Sequence, residues 1–210
     1  LTDLRPQEPN GPAIVWLYRH GPVEASASEV CLGWTDALLA DPEKTAGEAR
    51  RLGRAVGRAA GVYVSDLRRA LGTARPLAAT IDAPLYVTRD LREMHFGEWE
   101  NQPWREVRDR HAAAFLRYFN DWENVATPGG ESFGDLRART AAFWRRIAAV
   151  HEGDTLVVVS HGMALAALAT LLLGWTPKHA MKHILDRGHY ALLDRTRNAY
   201  AWNFDPAKLP

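Results

Sequence analysis

Two segments of this 210-residue chain share one design: an apolar run of strand length that stops at a histidine and a glycine. The first is Ala13-Ile14-Val15-Trp16-Leu17-Tyr18 followed by Arg19-His20-Gly21. The second is Thr155-Leu156-Val157-Val158-Val159 followed by Ser160-His161-Gly162. Both read as buried strands, and in an open α/β sheet ligands bind in the crevice outside the carboxyl ends of the strands. Two imidazoles far apart in the chain are thereby offered to one crevice. The glycine after each lets the backbone turn sharply and approach a ligand closely. Arg19 adds a planar fork of donors suited to phosphate oxygens. Histidines and an arginine at strand ends point to phosphoryl chemistry.

Strand and helix signals alternate along the chain. A helix is expected over residues 45–60, stopped by Gly61, then a short strand Val62-Tyr63-Val64 with Ser65 able to cap the next helix, which Pro76 kinks. Leu85-Tyr86-Val87 is a further strand, and Pro103 fits the first turn of a helix reaching about residue 118. After the loop Thr127-Pro128-Gly129-Gly130, Ser132 opens an amphipathic helix whose Phe133, Leu136, Thr140, Phe143, Ile147 and Val150 recur every three or four residues. A helix over 163–173 and strands near 190–193 and 200–204 complete the order. Such alternation predicts an α/β three-layer sandwich, with a mostly parallel central sheet and helices on both faces. Residues 1–12 are expected as an N-terminal tail and 13–210 as a single domain. Within it, 94–130 holds no strand candidate and is expected to lie over the site like a lid.

Composition removes several rival functions. Lys+Arg of 26 against Asp+Glu of 25 provides no general basic field for nucleic acid. The lone cysteine, Cys31, cannot close an internal disulfide. The apolar helix over 163–173 is too short to span a bilayer, and the polar, proline-containing start resembles neither signal peptide nor anchor. A cytoplasmic protein without membrane or nucleic-acid partners is expected. Its start at Leu1 leaves room for trimmed residues upstream, and oligomeric state is not legible.

Two more candidates lie between the histidine segments. Ser65-Asp66-Leu67-Arg68-Arg69-Ala70 follows a strand and opens a helix, where free N–H groups favour an anion. One arginine there can reach a phosphate while its neighbour faces elsewhere. Glu93 lies just beyond the 85–87 strand, where its carboxyl could serve as a proton donor if burial raised its pKa.

These residues resemble the histidine phosphatase superfamily, with its phosphoglycerate-mutase-like fold. The resemblance runs from about residue 13 to 193. It rests on Arg19-His20-Gly21, on Ser65 with Arg69-Ala70 and Thr73-Ala74, and on Leu91, Glu93, Phe96-Gly97 and Trp99-Glu100. Gly129-Gly130-Glu131-Ser132 and Ser160-His161-Gly162 complete it. It implies that His20 is the nucleophile that becomes a phosphohistidine, with Arg19, Arg69 and His161 holding the phosphoryl oxygens. Glu93 would protonate the leaving oxygen and then activate water. Ser26 would stand in for an asparagine near the phosphate, and Gly162 would line the substrate site. The implied substrate is a small phosphorylated metabolite, with no cofactor and no metal, since arginines, imidazoles and helix ends supply the charge.

Many members carry an acidic residue or glutamine, then threonine, where Pro22 and Val23 stand here. Mutases also tend to place arginine, histidine and tyrosine after the acidic glutamate, where this chain has Met94-His95-Phe96. A phosphatase is therefore expected, and Cys31-Leu32-Gly33-Trp34 with Phe96-Gly97-Glu98-Trp99-Glu100 resembles the α-ribazole-phosphate phosphatase branch. The competing readings are a phosphoglycerate-mutase-type phosphoryl transferase and a non-catalytic phosphate-binding scaffold. Arg68 is expected to be a solvated salt-bridge partner. His179 and His183, four residues apart without a third ligand, make a poor zinc site. Trp34, Trp99 and Trp104 are candidates for core packing or a substrate wall.

Overall fold

The two histidine-terminated runs lie side by side. In the computed structural model, which describes residues 2–3, 11–24 and 30–209, strands β2 (Ile14–Arg19) and β5 (Thr155–Ser160) are parallel. Their register pairs Ile14 with Thr155 and Arg19 with Ser160, so His20 and His161 leave the same edge at the same height. The sheet continues from β5 into β3 (Gly61–Ser65) and β4 (Leu85–Thr88), both parallel to it. On the other side of β2 come β6 (Tyr190–Asp194), β7 (Ala199–Phe204) and the two-residue β1 (Thr2–Asp3), each antiparallel to its neighbour. The seven-stranded order is β1-β7-β6-β2-β5-β3-β4. A parallel core thus carries an antiparallel edge, and the sheet is mixed.

Side-chain alternation assigns the two faces. Val15 and Leu17 of β2 and Leu156 and Val158 of β5 face α5 (Phe133–Ala148) and α6 (Gly162–Leu172). Trp16, Tyr18, Val157 and Val159 face α1 (Pro42–Val56) and α2 (Arg68–Thr80). Strands covered on both faces need apolar residues at every position, which is why these two read as continuous runs. The same logic explains α6, whose residues 162–170 are all buried.

Departures from the expected elements follow from specific contacts. Ser65 does not cap α2; Leu67 is its N-cap, and the Ser65 hydroxyl is turned to His161 instead. The helix expected up to residue 118 is two, α3 (Trp104–Arg110) and α4 (Ala112–Asn120), broken at His111. A further short helix, α7 (Pro177–Lys182), capped by Thr176, was not expected. Ser132 does cap α5, in a reciprocal box with Asp135.

Residues 94–130 have a small core of their own. Met94, Phe96, Trp99, Val107 and Tyr118 pack with Cys31 against Phe133 and Leu136 of α5 and Met163, Ala164 and Ala167 of α6. Two backbones cross within it. A Cβ on Gly97, whose φ is +57°, would lie 2.1 Å from the Pro128 carbonyl oxygen, and one on Gly130 would lie 2.4 Å from the His95 oxygen. No side chain fits at Gly97 or Gly130, while Gly129 is required by its φ of +68°.

Candidate active site

The two imidazoles sit 5.0 Å apart, ring centre to ring centre, both buried. His20 follows β2, and its Nδ1 lies 2.7 Å from the Gly21 carbonyl oxygen. A carbonyl only accepts, so Nδ1 carries the hydrogen and the lone pair of the neutral ring is at Nε2. Burial first, then the charges of Arg69 and Arg19, hold the His20 pKa well below the ordinary histidine value. A neutral imidazole with its lone pair on the outer nitrogen is the form required of a nucleophile.

His161 is fixed differently. Arg69 donates from Nε to its Nδ1 at 3.2 Å, and its Nε2 is 2.8 Å from the Ser65 hydroxyl. Nδ1 must therefore accept and Nε2 carry the hydrogen. Burial, then the charge of Arg69, depress its pKa as well. Ser65 ends β3, next to β5, so the sheet itself supplies this partner.

Arg69 lies one residue inside α2 and is almost wholly buried. Its terminal nitrogens each donate at 2.7 Å, to the carbonyls of Thr35 and Gly33. Burial brings its pKa down to about 10, so it stays charged at neutral pH. Arg68 faces solvent and pairs with Asp36 at 2.9 Å, as expected of the neighbour. Arg19 donates to the Leu185 carbonyl at 2.5 Å, while its buried Nε has no partner among the described residues. Gly162 gives it room: a Cβ there would come within 3.0 Å of the Arg19 Cζ. Gly21 is needed on the other side, because a Cβ would lie 2.5 Å from the Thr45 hydroxyl of α1.

Glu93 is half-buried, and its position differs from a carboxyl sunk in an apolar pocket. One oxygen accepts from the backbone N–H groups of Met94, Met163 and Ala164 at 3.0, 3.1 and 3.2 Å. The carboxylate thus rests on the N-terminus of α6, the helix that His161 caps. Its backbone is held too. The Glu93 carbonyl accepts from Trp34 Nε1 at 2.7 Å and from Arg139 at 3.3 Å. Arg139, in α5, also grips the Asp90 and Arg92 carbonyls and makes a two-pronged pair with Glu131. Glu131 in turn accepts from the His95 N–H at 2.9 Å. The motif residues around Glu131 form a clamp on the Glu93 turn. Glu100 does the same for the opposite loop, accepting from Trp34 N and the Thr35 hydroxyl.

The structure brings His20, His161, Arg19, Arg69, Glu93 and Gly162 to one end of the sheet; Ser26 lies outside the described residues. Trp99 is core, Trp104 is partly exposed, and Trp34 stacks on His95 and under Arg92. The exposed His179 and His183 rings stack on each other and meet Trp175 edge-on and tilted, and among the described residues no three His, Cys, Asp or Glu side chains converge on a metal position. Arg187, absent from the sequence candidates, also reaches this end. It belongs to no motif and precedes β6, whose antiparallel pairing with β2 returns it to the His20 end.

The comparisons agree with this geometry. The family model for the histidine phosphatase superfamily (branch 1) matches residues 15–204. The chain is 30% identical over 182 residues to the adenosylcobalamin/α-ribazole phosphatase of Salmonella typhimurium, covering 86% of this chain and 89% of that one. It is 33% identical over 156 residues to a metal-independent phosphoserine phosphatase of Arabidopsis thaliana, covering 72% of this chain and 65% of that protein. The crystal structure of the α-ribazole phosphatase of Shigella flexneri superposes with a TM-score of 0.77 at 25% identity, over 90% of this chain and 94% of that one. The chain belongs to the histidine phosphatase superfamily, branch 1, as a phosphomonoester hydrolase related to the α-ribazole phosphatases.

Proposed function

We propose that the protein hydrolyses a small phosphorylated metabolite in two steps through a phosphohistidine on Nε2 of His20, without a metal ion. The observation that carries this is the state of His20: neutral, its Nδ1–H tied to Gly21, its free lone pair beside Arg19 and Arg69. In the first step Nε2 attacks phosphorus and the ester P–O bond breaks. Glu93 gives the proton to the leaving oxygen. In the second step water attacks the phosphohistidine, Glu93 takes the water's proton, and the N–P bond breaks to release inorganic phosphate. Arg19 and Arg69 hold the equatorial oxygens. An oxygen entering between the rings competes with Ser65 for the Nε2–H of His161.

Hydrolysis is favoured over transfer to a second hydroxyl by the run after Glu93. Met94 is fully buried, His95 is stacked on Trp34, and Phe96 packs on Trp104, so none is free to grip a carboxylated substrate as the mutase residues do. Residues 94–130, held by their own core, cover the site within a single domain over 13–210. The relatives named above make α-ribazole phosphate and phosphoserine the first substrates to try, in a cytoplasmic setting.

The test is hydrolysis of p-nitrophenyl phosphate by chelator-treated protein. Undiminished turnover, inhibited competitively by vanadate, supports the reading. Loss of activity with chelator and recovery with zinc or manganese would overturn it.

A further inference from the structure

The loop between α7 and β6 folds directly over the nucleophile's backbone. The Gly188 N–H donates to the His20 carbonyl at 2.9 Å, the Arg19 N–H donates to the His189 carbonyl at 3.0 Å, and the Leu185 carbonyl receives the Arg19 guanidinium at 2.5 Å. A Cβ on Gly188, whose φ is +78°, would reach within 4.0 Å of Glu48 Oε2, Pro22 and Gly21. Arg187 is therefore held on both sides by residues bonded to the site, on a part of the chain with little freedom to move away.

Its side chain is half-buried and makes no hydrogen bond or ion pair with any described residue. The neighbouring Asp186, which could neutralise it, is occupied by the Asn203 amide at 2.9 Å. A half-exposed guanidinium with no partner among the described residues keeps its planar fork of donors available to an anion. The strand order gives its direction. Arg187 stands before β6, on one side of β2, whereas Arg69 follows β3, two strands away on the other side. The charge of Arg187 is felt by His20, Arg19 and Arg69, all of which it disfavours as cations, and Glu93 is the carboxylate that favours its own charge. The strand order thus puts Arg187 at the border of the crevice, across β2 from Arg69, with Glu93 within electrostatic reach.

We infer that Arg187 is a specificity-determining residue that recognises an anionic group on the leaving portion of the substrate, a carboxylate or a second phosphate near the scissile ester. Arg19 and Arg69 already serve the transferring phosphoryl group in this reading, so Arg187, across β2 from Arg69 and within electrostatic reach of Glu93, is left for the leaving portion. The inference rests on the hydrolase reading above and deepens it to a substrate class.

The experiment compares a matched pair, 2-phosphoglycolate and 2-hydroxyethyl phosphate, which differ by a carboxylate in place of a neutral alcohol. The intact protein should favour the carboxylate in kcat/KM. Arg187→Gln should lower that preference roughly ten- to hundredfold, chiefly through KM, and Arg187→Lys should restore part of it. Equal losses on both esters would place Arg187 in the phosphoryl clamp and overturn the proposal, as would no loss on either. Failure of the intact protein to hydrolyse either ester or p-nitrophenyl phosphate would instead overturn the hydrolase reading. In that case calorimetric binding of the same pair to both proteins still decides the role of Arg187: a carboxylate preference lost in Arg187→Gln supports it, and an unchanged preference sinks it.

Discussion

The Nε–H of Arg69 is directed at Nδ1 of His161, 3.2 Å away, and this contact defines the second histidine. A donor facing Nδ1 forces the imidazole's own hydrogen onto Nε2, where Ser65 meets it. His20 has the opposite tautomer, because Gly21 presents an acceptor to its Nδ1. Two histidines in equivalent positions on adjacent strands are thus chemically distinct. One exposes a lone pair; the other is committed to aligning an arginine.

Both rings are neutral because they are buried among arginines, and this links stability to acidity. The unfolded chain takes up protons near 6.5, the ordinary histidine value, while the folded rings resist until well below it. In that interval the unfolded state binds more protons, so the fold loses stability as pH falls from about 6.5. The slope reaches about 1.4 kcal/mol per pH unit for each of the two histidines. Urea unfolding should show a loss of roughly 1 kcal/mol per histidine between pH about 7 and about 5.5, and His161→Gln should remove roughly half of the total. An identical slope in the variant would contradict the assignment.

Glu93→Gln should slow attack on an alkyl phosphate by roughly 10²- to 10⁴-fold. An aryl phosphate, whose leaving oxygen needs less help from a proton, should suffer less in single-turnover phosphorylation. Equal losses on the two esters would mean that Glu93 is not the acid.

Arg139 touches the Glu93 carbonyl rather than its carboxylate, so it acts by position. Arg139→Leu should lower kcat by roughly tenfold or more with little change in KM, since small misplacements of a reacting group are costly. The deficit should again be larger for alkyl than for aryl esters. A uniform loss across esters would point to general loosening instead.

Gly97→Ala should destabilise the fold by roughly 2–4 kcal/mol, because the residue sits at positive φ and a Cβ would meet the Pro128 carbonyl. Thermal unfolding measures it. A change below about 0.5 kcal/mol, the range of ordinary surface substitutions, would show that the two loops part easily.

How much of this was legible in the sequence depended on the kind of signal. β2 and β5 announced themselves because a doubly covered strand must be apolar throughout, and their register then placed His20 and His161 together. Ser132 was readable as a cap because its capping box is local. Ser65 was misread as a cap because a hydroxyl at a strand end serves either role, and its actual partner is 96 residues distant. Glu93 was found through its motif, but its seat on the α6 N-terminus depends on tertiary contacts that no local pattern encodes. Arg187 left no trace, since only the antiparallel return of β6 carries it to the site.

The most direct test of the account is to mix the protein with a ³²P-labelled phosphomonoester, quench within the first turnover, and locate the label. An acid-labile, base-stable phosphoryl group is expected on Nε2 of His20 and should be absent from His20→Ala, which should also lose turnover while keeping its fold. Label on another residue, or full turnover by His20→Ala, would contradict it.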